Sequence, residues 1–206
     1  MTTMEYERID APSMPMTRLC FVALDRMALA HAETVAEVTR YASTDLVCFR
    51  APEPQELVAA QAAAWDPMLA WAERALGAHF VAATGILPVD QDPVALQRVM
   101  AIAGEQDAWR LTALAHATAV TGSAILGLAL LHGEIDGGQA FALSSVDEAW
   151  QAGRWGEDAE AAQRLALLKA ELVALAAKHV GDWMPAQLLD DGAYGRVFAD
   201  PAEVQE

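Results

Sequence analysis

The chain has 206 residues, 54% of them hydrophobic and 20% charged, and carries a formal net charge of −16. Its 29 acidic residues against 13 Lys and Arg, of which only Lys169 and Lys178 are lysines, exclude a surface built for nucleic-acid phosphates or anionic lipid. A length of this order holds one large domain or two small ones, and the scarcity of Val, Ile, Thr and aromatic clusters favours helix over strand.

Residues 1–17 read as an irregular arm interrupted by Pro12 and Pro15, with Glu5, Glu7 and Asp10 where a targeting peptide would avoid acids. Thr17 is placed to cap a helix that starts at Arg18 and runs, with a break, to about Tyr41. "STDLVCF" leaves the helical pattern, and "RAPEPQ" supplies a stop and a new start at Pro52 and Pro54. From Gln55 to Leu76 the residues Val58, Gln61, Trp65, Met68, Ala72 and Leu76 recur at steps of three and four, which predicts a helix, interrupted at Asp66–Pro67.

Gly77 should end that helix, and "HFVAATGILPV" reads as a short strand followed by a turn. Asp92 before Pro93 forms a cap and first-position pair for a helix to about Ala103, broken by Gly104. Gln106 to Leu131 then reads as one apolar helix. Its stretch Thr112–Leu131 has the length of a membrane span. However, His116, Thr118, Thr121 and Ser123 dilute it, and no basic cluster flanks it, so a buried central helix is expected instead of membrane insertion. After the turn "HGEIDGGQ" a helix is expected from about Gly138 to Gln151. A long amphipathic helix follows from Glu157 to His179, with Ala161, Leu165, Leu168, Leu172 and Leu175 on one seam. The Gly-, Pro- and Asp-rich stretch 181–206 is expected to be a loosely attached tail. The predicted architecture is a mainly α, orthogonal helical bundle over residues 18–180, with at most one short strand near 79–84.

Chemistry is hard to find. His31, His79, His116, His132 and His179 stand apart from one another and form no short metal-ligand pair, so neither metal nor cofactor is expected. "GSAILG" has the glycine spacing of a phosphate loop but lacks the Lys and Ser/Thr that would hold the phosphate and magnesium. Cys20 and Cys48 show no CxxC spacing and read as packed thiols of a reduced protein. The densest group of acids is "DEAWQAGRWGEDAEA", Asp147–Ala161. Gly153 suits a helix end, and Glu157, Asp158 and Glu160 suit the first turn of the next helix. Asp147 and Glu148 have no such local reason. A helix hairpin, a pair of catalytic carboxylates and a partner-binding surface remain open for this segment.

Six segments in register, "SMPMTRL", "RYASTDLVCFRA", "QAAAWDPMLAW", "TGILPVDQ", "LTALAHATAVTGSAILGLAL" and "DEAWQAGRWGEDAEA", resemble the family of assembly chaperones that handle the α subunit of the ATP synthase catalytic sector. The resemblance covers about residues 9–180. It implies a non-enzymatic protein that holds the new α subunit and shields the surface β later covers, and the lack of a targeting sequence leads to the expectation of a cytoplasmic, bacterial protein. It also implies a β-rich N-terminal domain before a helical bundle; the arm before Met14 is too short for that domain, so the chain is read as the helical domain alone. An acidic residue of "DEAWQ" is tied to chaperone function in the family, which by motif position is Asp147 or, preferentially, Glu148. Trp150 and Trp155 would be the aromatic anchors with Gln151 beside them, core packing being the alternative role for both tryptophans. The rival reading is a helical enzyme or small-ligand-binding protein using the acids of 147–160. A second rival is a membrane protein anchored by residues 112–131.

Overall fold

The computed structural model describes residues 15–85, 87–156 and 159–176. The first helix begins at Pro15, inside the expected arm, so Thr17 lies within it instead of capping it. This helix, α1 (Pro15–Phe21), passes through a single π turn, Val22–Arg26, into α2 (Met27–Ser43), which buries Met27, Val35, Val38 and Ala42. The expected break is therefore a change of helical pitch.

Asp45 caps a 3-10 turn at Leu46–Cys48, and the chain then forms β1 (Phe49–Arg50). Its parallel partner is β2 (Ala83–Thr84), in register Phe49 to Ala83 and Arg50 to Thr84. The short strand expected near 79–84 is present, and its partner comes from the stretch that had only been read as leaving the helix.

Between the strands, α3 (Gln55–Trp71) runs through Pro67 without ending, contrary to the expected interruption, and continues as a π turn over Ala72–Leu76. Gln61, Trp65, Met68, Ala72 and Leu76 of the predicted stripe are buried. Gly77 closes the segment in the left-handed region at φ 65°. A cap forms as expected before α4 (Pro93–Gly104), where Asp92 accepts from the Val94 amide at 2.8 Å.

The long apolar stretch differs most from expectation. It is two helices, α5 (Ala108–Thr121) and α6 (Ala124–Leu131), separated at Gly122. The reason is local: Gly122 has φ 68°, which a residue with a Cβ rarely adopts, and the Ser123 hydroxyl then accepts from the Leu126 amide to start α6. Periodicity cannot register such a turn, because apolar residues continue on both sides. Residues 124–130 of α6 are all buried, so the centre of the core is where it was expected, on a much shorter helix. No helix among the described residues is long and apolar enough to cross a membrane.

Asp45 pins this turn from the outside. Its buried carboxylate accepts from the Val47 amide at 3.2 Å and the Ile125 amide at 3.0 Å, while the Leu46 amide donates to the Gly122 carbonyl at 3.2 Å. Burial pushes the Asp45 carboxyl up to about 6, against the opposing pull of Ser123 and the surrounding amides. Of the three remaining elements, α7 (Gly137–Ser144), α8 (Val146–Trp155) and α9 (Ala159–Ala176), α7 packs against α9 and α8 against α3. Gly137 lies so close to α9 that an added Cβ would meet the Leu172 carbonyl and, at 2.5 Å, the Val173 Cα. The expected tail at 181–206 lies outside the described residues.

Candidate functional site

The helix expected over Gly138–Gln151 is interrupted at Ser145. The Phe141 carbonyl accepts from both the Ser145 amide at 3.1 Å and the Ser145 hydroxyl at 2.7 Å. Helix α8 therefore restarts at Val146, and Asp147 and Glu148 fall in its first turn, where carboxylates face the positive end of the helix dipole. The two acids without a local reason acquire one from a break that "SS" did not advertise. Gly153, expected at a helix end, lies inside α8; Gly156, at φ 91°, follows its last residue.

Asp147 and Glu148 do different things. Asp147 accepts from the Gln61 side-chain amide at 2.7 Å, and the Gln61 carbonyl accepts from the Ala51 amide, also at 2.7 Å. One step away, the Arg50 guanidinium donates to Asp66 at 2.7 Å, to the Phe49 carbonyl at 3.0 Å and to the Val47 carbonyl, and lies over the Trp65 ring at 5.2 Å. Trp65 in turn donates its indole N–H to the Leu143 carbonyl at 2.7 Å. This network ties β1, α3 and the α7–α8 junction together. Gln61 and Arg50 are its buried polar members. Sequence periodicity had placed Gln61 on an apolar stripe, and a lone glutamine at a core position was the available signal for it.

Glu148, Gln151 and Trp155 follow one another at helical steps of three and four along the flank of α8 next to Asp147. They form one wall of an open groove of about 580 Å³. Phe141 and Ser145 lie at one end. Ala162, Leu165 and Ala166 of α9 make the opposite wall, with Arg164 and Lys169 beside them. Trp155 is 71% exposed, whereas Trp150 is half-buried. The two rings meet edge to face with centroids 5.6 Å apart, and the Arg154 guanidinium lies 5.2 Å over Trp150. Trp150 thus supports Trp155 from behind. The five candidate residues divide accordingly: Asp147 faces inward to α3, Glu148, Gln151 and Trp155 line the groove, and Trp150 bridges the halves.

The groove offers little for catalysis. Its one hydroxyl among the lining residues, Ser145, donates to a backbone carbonyl. Cys48 is buried, with its thiol pushed up to about 12 by desolvation and the nearby Asp45, which leaves almost no thiolate at neutral pH. Among the described residues no three His, Cys, Asp or Glu side chains are grouped as a metal requires. EDTA is accordingly expected to leave the melting temperature unchanged, since no folding free energy is linked to a metal. Scanning calorimetry with and without chelator checks this, and a drop of several degrees would contradict it.

The described residues thus form a helical bundle with an amphipathic helix and an open, mainly apolar groove on its outside. Comparison with known proteins specifies it further. Residues 3–73 match the model of the family described as ATP12 chaperone protein. The crystal structure of Atp12 from Paracoccus denitrificans is 40% identical over 84% of this chain and 74% of that one, with a TM-score of 0.79. The Atu1473 protein of Agrobacterium tumefaciens is 36% identical over 85% of this chain and 66% of that one, with a TM-score of 0.78. The chain belongs to the ATP12 chaperone family. The resemblance carried by the six sequence segments is thereby borne out, as is the mainly α fold.

Proposed function

We propose that this protein is a non-enzymatic cytoplasmic chaperone that binds the α subunit of ATP synthase before it joins the catalytic sector, using α8 as its contact surface. Family membership supports the chaperone role. The observation that carries the choice of surface is that α8 is amphipathic yet buries none of its side chains fully. In a helix made only to complete a core, the apolar stripe would be covered. Glu148, Gln151 and Trp155 are the contact residues on this reading, Trp150 props Trp155, and Asp147 holds α8 in place through Gln61.

Aggregation of the α subunit, followed by light scattering, tests this assignment. Glu148 is exposed, so Glu148→Gln should change stability by less than about 0.5 kcal/mol. Its protection of the client should weaken, because a charge-assisted hydrogen bond to a client Arg or Lys contributes about 1.5–3 kcal/mol. Added salt should reduce protection by the wild type more than by the mutant. Asp147→Ala should behave oppositely, losing about 1–3 kcal/mol of stability by leaving the buried Gln61 amide without its acceptor. Equal protection by Glu148→Gln and wild type at every salt concentration would remove Glu148 from the mechanism.

The groove itself favours a second reading, because its volume lies in the range of small-ligand sites. Native mass spectrometry of the purified protein separates the two. A bound small molecule at full occupancy favours the ligand-binding alternative.

A further inference from the structure

The seam read along the last helix, Ala161, Leu165, Leu168, Leu172 and Leu175, is only partly used. Leu172 and Leu175 are buried in the core, at the end of α9 where Gly137 lets α7 approach its backbone. Leu165 and Leu168 are only half-buried, and Leu165 opens onto the groove. The first half of α9 is therefore less completely covered, and its apolar residues face Ala149, Ala152 and Trp155 of α8 across a space they do not fill.

The chemistry of the two walls restricts what can enter. Both walls are helices whose backbone groups are satisfied internally, and neither offers a sheet edge. An extended peptide laid between them would bury N–H and C=O groups without partners. A helix satisfies its own backbone and can set its side chains between those of two flanking helices. A volume of about 580 Å³ accommodates the apolar face of a short helical segment, on the order of two turns. Charge restricts the occupant further. The α8 wall carries the Glu148 carboxylate, whereas the α9 wall carries Arg164 and Lys169, two of only 13 basic residues in a chain with 29 acids. An occupant that complements both walls is apolar on one face, basic on one flank and acidic on the other.

We infer that the groove between α8 and the first half of α9 receives one amphipathic helix of the client, with its apolar face inward, a basic side chain beside Glu148 and an acidic one beside Arg164 and Lys169. The inference rests on the proposed binding of the α subunit and adds the α9 wall, which that proposal does not need.

The test uses the full chain with a photo-crosslinking benzoylphenylalanine at Ala166, in the groove, and in a separate variant at Glu33, an exposed residue of α2. With purified ATP synthase α subunit as probe, position 166 should crosslink to a segment that is helical in the folded α subunit, and position 33 should not. Leu165→Asp should raise the Kd for the α subunit at least tenfold. Because Leu165 is half-buried, the double variant Arg164→Glu/Lys169→Glu provides an independent arm at exposed positions, and should raise Kd several-fold with an unchanged melting temperature. An adduct from position 166 to a second copy of this chain or to its own C-terminal residues would overturn the inference. So would wild-type affinity in the double variant, or a crosslink confined to an extended segment of the client. Those results leave the chaperone reading standing if Glu148→Gln still binds more weakly. Failure of the unmodified chain to bind the α subunit at all would remove that reading, and this inference with it.

Discussion

Replacing Asp45 with alanine should destabilise the protein by about 3 kcal/mol or more at pH 7, although the residue carries a charge in the core. The Val47 and Ile125 amides would lose a common acceptor, and α6, which forms the centre of the core, would lose the group that fixes its first turn. Each buried donor left unpaired costs about 1–3 kcal/mol. Opposing this is the desolvation of the carboxylate, and here the pH dependence is informative. The folded-state carboxyl titrates at about 6, against an ordinary value of 3.8. Between these values the native state keeps a proton that the unfolded state has released, so stability from this group falls as pH rises through the window. The loss is complete above about pH 6 and amounts to about 3 kcal/mol. Asp45→Asn cannot titrate. Urea unfolding should therefore show the stability gap between wild type and Asp45→Asn widening by about 2 kcal/mol from pH 7 to pH 4. A constant gap would mean that the folded Asp45 carboxyl titrates at its ordinary value and is not raised by burial.

Adding one methyl group at Gly137 should be nearly as damaging. In Gly137→Ala the new Cβ would run into the Leu172 carbonyl and the Val173 Cα, which are backbone atoms and cannot rotate away. Either α7 or α9 must shift, and a shift of α9 draws Leu172 and Leu175 out of the core. Overpacking of this kind costs about 1–3 kcal/mol, and collision with backbone belongs at the upper end. Gly138→Ala is the natural control. Its nearest neighbour would be the Asp136 side chain at 3.2 Å, which needs to give only slightly. Equal urea midpoints for Gly137→Ala and Gly138→Ala would show that the α7–α9 contact is looser than described.

Much of this arrangement was legible in the sequence because caps and periods act locally. The stripe Gln61, Trp65, Met68, Ala72 and Leu76, the Gly77 stop and the Asp92–Pro93 start all follow from residues within a turn of one another. The missed features depend on partners far along the chain. Gly122 ends α5 with its carbonyl held by Leu46, and the amide of Ile125 is held by Asp45, 80 positions earlier. Pro67 does not stop α3, whose flanking residues Trp65, Met68 and Trp71 are all buried, and tertiary packing overrides the local preference. The site shows the same division. Motif position pointed to Asp147 and Glu148 together, but only the Gln61 contact, 86 residues away, tells the anchored acid from the exposed one. The groove was invisible for a related reason, since it depends on Leu165 and Leu168 of a continuous apolar seam staying only half-buried.

Among the described residues, the side-chain bonds that hold α8 gather at its start. Its start is held by the Asp147–Gln61 bond and by Trp65 on the preceding Leu143 carbonyl, while past Trp155 the chain leaves through Gly156. Mechanically this is a lever with its pivot at Val146 and its tip at the exposed indole. Ten residues of helix give an arm of about 15 Å, so a swing of about 10° carries the tip roughly 2–3 Å while the pivot stays in place. On the proposed reading, the Glu148 end would keep a fixed spacing against a client while the Trp155 end would follow its thickness. Helix α8 would then read charge at its hinge and tolerate shape at its mouth.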